Sequence, residues 1–172
     1  GIKTVYVSPV FQAVLGSLHG YDVTNPLKIN PEIGTQADFE KLVDAIHAED
    51  MGWLQDIVPN HMAYSIENPW IHDVLERGKE SPFYDFFDFL EDHPDEILNK
   101  RIMLPFFGKP LEQLIQDNEF KVVFDVEGFR LKYFDNHYPL SHKSLEYLLQ
   151  LAGEQQIPEN ITGFLEKRFA TN

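Results

Sequence analysis

Apolar and polar positions along the chain change their period several times, and each change marks an element. Thr4-Val5-Tyr6-Val7-Ser8 is β-branched and aromatic, which predicts a strand from Ile2 to Ser8, ended by Pro9 because proline has no N–H to give a ladder. From Gln12 to Gly34 neither the helical nor the strand period is visible, and Gly16, Gly20, Pro26, Pro31 and Gly34 interrupt it. The stretch therefore reads as a long loop, of the sort that often carries function. Thr35-Gln36-Ala37-Asp38 is a capping-box start, and Phe39, Leu42, Val43 and Ile46 then recur at helical spacing, to an end near Met51-Gly52. Trp53 to Val58 predicts a second strand. Strand, loop, helix and strand in this order imply parallel strands with a right-handed crossover, the beginning of an α/β protein.

Past His61 the pattern shortens. Asn68-Pro69 can cap and start a helix through Trp70, Val74 and Leu75 that Gly78 ends. Pro82 to Asp95 is aromatic and acidic together, and the Phe83 to Phe89 run reads as core under an acidic helix face. Pro110 to Gln116 predicts another short helix, and Phe120 to Val126 faces Phe129 to Phe134 across Glu127-Gly128 as a hairpin. Two helices close the chain, Lys143 to Leu151 and Thr162 to Phe169. No repeat or low-complexity tract is present. The opening Gly1, followed at once by strand, predicts a piece of something longer.

Composition narrows the partners. At 172 residues with 43% hydrophobic and 13% aromatic content the chain can bury a core. Against 28 acidic residues stand 14 basic ones, a net charge of -14; this field repels phosphate backbones and anionic lipid, so neither nucleic acid nor a membrane is an expected partner, while a neutral sugar is compatible. No apolar run approaches the roughly 20 residues that span a bilayer. Without cysteine there are no disulfides or thiolate metal sites, and a reducing, cytoplasmic location is the default. The histidines outside the two motifs below, His47, His72, His93, His137 and His142, lack zinc-ligand spacing. No metal or other cofactor is expected. Asn160-Ile161-Thr162 is a glycosylation sequon by chance unless the protein is secreted.

Two stretches could carry chemistry. Asp56-Ile57-Val58-Pro59-Asn60-His61 places a carboxylate in the predicted second strand and delivers Asn60 and His61 past its C-terminal end, the end at which parallel α/β folds bind ligands. A buried carboxylate costs several kcal/mol unless something pairs with it, so Asp56 needs a partner. His19-Gly20-Tyr21-Asp22 lies in the long loop after the first strand, at the same edge; Gly20 permits a sharp turn and Tyr21 offers a flat face with a hydroxyl handle. A purely structural account stands beside this one: Asp56 pairing with a buried arginine, Asn60 capping a turn, and His19, Tyr21 and His61 satisfied where they lie.

With Ser8-Pro9-Val10-Phe11-Gln12-Ala13, Gly16 to Val23, Ile29-Asn30-Pro31-Glu32-Ile33-Gly34 and Asp56 to Met62, the chain resembles the α-amylase superfamily of (β/α)8-barrel glycoside hydrolases. Asn68-Pro69-Trp70, Asp73-Val74-Leu75-Glu76, Ser81-Pro82-Phe83, Phe86-Phe87-Asp88, Leu104-Pro105-Phe106-Phe107-Gly108 and Phe134 to Leu140 extend the likeness to the maltooligosyltrehalose synthase group. Gln55, in place of an aliphatic residue, and Phe89-Leu90-Glu91, without an acidic-Trp ending, depart from it.

The fold the resemblance implies is α/β: part of a (β/α)8 TIM barrel, with strands 2 and 3 in residues 1–61, an inserted α+β subdomain after strand 3 in 62–140, and a helical segment returning toward the barrel in 141–172. It also implies that Tyr21, Asp22 and His61 bind substrate, with Tyr21 stacking on the sugar that His61 hydrogen-bonds, and that His19, Asp56 and Asn60 support them, Asp56 by pairing with an arginine beside the nucleophile. Asn60 matches a calcium ligand of many amylases, but no second ligand for it is visible. The nucleophile and the acid, which must stand roughly 5 Å apart across the scissile bond, would lie on other chain; Gly128-Phe129-Arg130-Leu131-Lys132 imitates the nucleophile motif but has Lys132 where the aspartate belongs.

The implied activity of the whole enzyme is an isomerase's: intramolecular transfer converting the reducing-end α-1,4 linkage of a maltooligosaccharide to α,α-1,1, as in trehalose biosynthesis. The isolated 172 residues are then expected to be inactive. Hydrolysis or glucan transfer by another member of the superfamily, and a non-catalytic carbohydrate-binding module, are the alternatives. The expected partners are a maltooligosaccharide and the remainder of the barrel, with self-association through exposed strand edges plausible for the isolated segment.

Overall fold

A computed structural model describes residues 1–89, 92–96, 99, 105–125 and 128–152. The chain forms two compact units, Gly1–Ile71 and His72–Asn172. The predicted helix 162–169, the sequon at 160–162, Leu90-Glu91 and Glu127 of the hairpin turn lie outside the described residues.

The first unit is built on two parallel strands, β1 (Thr4–Val7) and, after the crossover, β4 (Gly52–Gln55), paired as Thr4 with Gly52, Val5 with Trp53, Tyr6 with Leu54 and Val7 with Gln55. Between them runs α1 (Gln36–Ala48). Its capping box forms as predicted: the Asp38 N–H donates to the Thr35 hydroxyl at 3.2 Å, and the Thr35 N–H donates back to the Asp38 carboxylate at 3.1 Å. Val5, Val7, Trp53 and Gln55 are half-buried, and Phe39 meets Trp53 edge-on, with ring centroids 5.5 Å apart. The alternate face, Thr4, Tyr6, Gly52 and Leu54, is exposed.

The stretch from Gln12 to Gly34 is not the structureless loop that its composition suggests. It contributes to two antiparallel strands, β2 (Phe11–Ala13) and β3 (Val23–Ile29). Register shifts on both sides of Gln12 set three residues of β2 against seven of β3, which erases the two-residue alternation that would have announced a strand. Pro26 sits inside β3, and Thr24 is fully buried, its one hydroxyl proton shared between the Gln12 and Ala13 carbonyls at 3.2 Å each.

Helix α2 (Pro69–Arg77) starts as Asn68-Pro69 predicts: the buried Asn68 side-chain oxygen accepts the Trp70 N–H at 3.0 Å, its amide donates to the Ala63 carbonyl, and Gly78 ends the helix at φ +60°. In the second unit two short 3-10 turns follow, Gly78–Glu80 and Tyr84–Phe86. Phe86 there is 66% exposed and Phe83 and Phe87 are half-buried, so this run is a surface-lying cluster and not the core that its apolar content suggests. After α3 (Leu111–Gln116) the predicted hairpin is present as β5 (Phe120–Asp125) and β6 (Gly128–Tyr133), and a third antiparallel strand, β7 (Asn136–Pro139), extends it. The tight β6–β7 turn holds Phe134 at φ +50°, a conformation that bulky residues rarely adopt and that hides the turn from composition. Helix α4 (His142–Ala152) follows.

Candidate functional site

Strand β4 stops at Gln55, so Asp56 stands just beyond the strand tip and not inside it, its N–H donating to the Val7 carbonyl at 2.9 Å. There the carboxylate meets two phenols. The Tyr21 hydroxyl donates to Asp56 Oδ2 at 2.7 Å and the Tyr6 hydroxyl donates to the same oxygen at 2.8 Å. These bonds favour the ionised carboxyl: Tyr21 first and Tyr6 second hold Asp56 below the usual carboxylate range, and Asp56 in turn raises both phenols above theirs. Among the described residues no arginine pairs with Asp56.

Tyr21 reaches this point because of Gly20. At φ +72° the backbone is left-handed, and a Cβ on Gly20 would stand 2.8 Å from the Pro9 carbonyl oxygen, closer than side chains approach backbone. The loop therefore crosses directly over the end of β1. Its interior is held by its own polar groups: Ser17 bonds Asp22 and also receives the Gly20 N–H at 3.2 Å, while His19 Nδ1 accepts the Tyr21 N–H at 3.0 Å and lies 3.6 Å from Asp22. The rings of His19 and Tyr21 are tilted, 5.9 Å between centroids. Two carboxylates pin the start of the loop from outside, Glu67 accepting the Leu15 N–H at 2.9 Å and Glu32 the Gly16 N–H at 3.0 Å. Asn30 is buried; its side chain accepts the Glu32 N–H at 3.0 Å and fixes the turn that presents Glu32.

The structure thus brings Tyr21 and Asp56 into contact and gathers His19 and Asp22 around the Tyr21 backbone. Asn60 and His61 are exposed and meet one another, Asn60 Oδ1 to His61 Nδ1 at 3.2 Å. Among the described residues neither hydrogen-bonds Tyr21 or Asp56. Reasoning from motifs missed Tyr6, Glu32 and Glu67. The signal for Tyr6 was in the alternation: it occupies the same face of β1 as its partner Leu54 does on β4, and Asp56 continues that face. Among the described residues no group of three or more histidines, aspartates or glutamates is arranged to hold a metal ion, and no helix is long and apolar enough to cross a membrane.

The arrangement offers an aromatic ring whose hydroxyl is fixed, a carboxylate with defined donors and, separately at the end of the same segment, an exposed imidazole. Residues 1–144 match the family model for the catalytic domain of alpha amylase. A candidate maltooligosyl trehalose synthase of Mycobacterium tuberculosis is 39% identical over 110 residues, which is 63% of this chain and 14% of that protein. An alpha-amylase of Bacteroides thetaiotaomicron is 34% identical over 104 residues, 60% of this chain and 14% of its own length. A crystal structure of a maltooligosyl trehalose synthase superposes with a TM-score of 0.73 at 38% identity, covering 81% of this chain and 19% of the other. The chain therefore spans about one seventh of the length of these two curated relatives.

Proposed function

The chain belongs to the alpha-amylase catalytic-domain family, and on that premise we propose that it forms one wall of the glucose site in a maltooligosyltrehalose synthase whose remaining barrel supplies the reacting carboxylates. One observation carries this reading: the Tyr21 hydroxyl is fixed on Asp56 beyond two parallel strand tips, so an aromatic face and a carboxylate are held together where a parallel barrel binds its ligand. The structural likeness to a synthase, which covers 81% of the chain, supports choosing that group.

In this reading β1 and β4 are barrel strands 2 and 3, residues 62–140 are an inserted subdomain and 141–172 lead back to the barrel. Tyr21 stacks on the glucose ring, His61 and Asp22 hydrogen-bond its hydroxyls, His19 and Asn60 hold those side chains, and Asp56 orients an arginine next to the nucleophile. A carboxylate outside this chain attacks the anomeric carbon and the α-1,4 bond breaks, its oxygen taking a proton from the acid. The released glucose, held in place, then attacks the anomeric carbon of the glucosyl-enzyme with its own anomeric hydroxyl; the ester bond to the carboxylate breaks, the hydroxyl proton returns to the group that acted as acid, and the α,α-1,1 bond forms. Excluding water at the second step favours transfer over hydrolysis. The cysteine-free composition is consistent with a cytoplasmic setting.

Product analysis on the full-length enzyme with maltopentaose tests the reading. A product of unchanged length with a non-reducing end is expected. Shorter products with new reducing ends would instead establish hydrolysis, the second reading, which the 34% identity to an alpha-amylase favours. The 172 residues alone should turn over no maltooligosaccharide; turnover that survives purification and disappears in His61→Ala would contradict the placement of the carboxylates elsewhere.

A further inference from the structure

We propose that Tyr6 is a positioning residue of the sugar site: from β1 it shares Asp56 with Tyr21 and so sets where the Tyr21 ring and the Asp56 carboxylate stand. The inference rests on the reading of the site given above and adds to it a residue that its motifs do not contain.

Both hydroxyls donate to one oxygen, Oδ2, at 2.8 Å from Tyr6 and 2.7 Å from Tyr21. Tyr6 comes from a strand whose register against β4 is fixed by four residue pairs, whereas Tyr21 comes from a loop. The strand residue is the stiffer of the two, and through the shared oxygen its geometry is imposed on the other. Tyr6 is 64% exposed and lies on the strand face opposite Trp53, which meets α1. A phenol in that position could donate to water at little cost, so its bond to Asp56 adds orientation and not core stability. A carboxylate has about four lone-pair sites; two phenols on Oδ2 leave acceptor capacity for the guanidinium that the proposed mechanism requires. Tyr6 from β1 and Tyr21 from the loop are the titratable groups facing Asp56, with the Ile57 N–H a smaller contributor, and among the described residues no lysine, arginine or histidine side chain pairs with it.

The test uses the full-length enzyme with maltopentaose and three variants, Tyr6→Phe, Asp56→Ala and the double variant. Tyr6→Phe should lower kcat/KM about tenfold, the worth of one hydrogen bond to a charged group, with the melting temperature at neutral pH nearly unmoved. Adding Tyr6→Phe to Asp56→Ala, which leaves no acceptor for the phenol, should change nothing further. Wild-type activity in Tyr6→Phe, or the same tenfold loss in both backgrounds, would overturn the proposal, because a packing role would not depend on Asp56. A ¹³C titration of the Asp56 carboxyl separates this inference from the functional reading. Its pKa should rise in Tyr6→Phe even if the enzyme proved inactive on maltopentaose, in which case the reading falls and the shared bond stands. An unmoved Asp56 titration would overturn the positioning role whatever the enzyme acts on.

Discussion

In Gly1–Ile71, Tyr6 and Tyr21 remain 64% and 36% exposed while their hydroxyls are committed to one carboxylate. In His72–Asn172 the rings close on one another: Phe107 meets Phe120, Tyr133 and Tyr138 edge-on at centroid distances of 5.1, 5.3 and 5.8 Å, and both tyrosines are 5% exposed. A ring surrounded by rings stabilises through buried area and matched quadrupoles. A ring facing water with its hydroxyl fixed does little for stability but presents an oriented surface. The contrast separates a cluster held together by its aromatics from a pair of phenols that is displayed.

Substitutions should break this contrast unequally. Tyr133→Ala removes a buried ring from the cluster and the acceptor of the Gly108 N–H, so urea unfolding of the second unit should show a loss of about 3 kcal/mol; a loss below about 1 kcal/mol would mean that the cluster is not the core. His61→Ala, at an exposed position, should leave thermal unfolding in place and lower kcat/KM of the full-length enzyme on maltooligosaccharides about a hundredfold, the usual effect of losing one donor to the reacting sugar. Equal activity with and without the imidazole would remove it from the site. Thr35→Ala should cost about 1 kcal/mol through the lost α1 cap, read by thermal denaturation, with no change in KM.

The smallest effects concern pH. Asp38, held by Thr35, and Asp56, held by Tyr21 and then Tyr6, both have carboxyls below their ordinary range. Their contribution is complete above the ordinary carboxylate value and is lost as pH falls through the depressed folded values. Tyr6 and Tyr21 are raised, chiefly by Asp56, so theirs is complete below the ordinary phenol value and is lost as pH rises through the raised one. Melting temperature against pH should be flat between these limits and fall at both ends, and Asp56→Asn should weaken the alkaline fall. Identical alkaline limbs in the two proteins would show that the phenols do not titrate against Asp56.

The β-α-β framework was legible because its signals are local: the branched residues of β1, the Thr35 capping box and the apolar stripe of α1 each act within a few positions. The hairpin β5–β6 was legible for the same reason. What the sequence hid depends on contacts between distant positions. The bulged register between β2 and β3 removes alternation, and Phe134 occupies a turn conformation that its own type disfavours. At the site, the motifs announced Tyr21 and Asp56 but not that they bond, and Tyr6 looked like any strand aromatic until the neighbouring strand brought Asp56 to it.

The central claim, that an exposed phenol pair fixed on one carboxylate serves a sugar and not the fold, is tested most directly by Asp56→Asn in the full-length enzyme. The measurement is kcat/KM on maltopentaose beside the melting temperature at neutral pH. The account predicts activity about a hundredfold lower, as for the loss of an electrostatic group that orients the reacting centre, with unfolding nearly where it was. Full activity with a large fall in melting temperature would contradict it, because Asp56 would then hold the fold together and leave the sugar untouched.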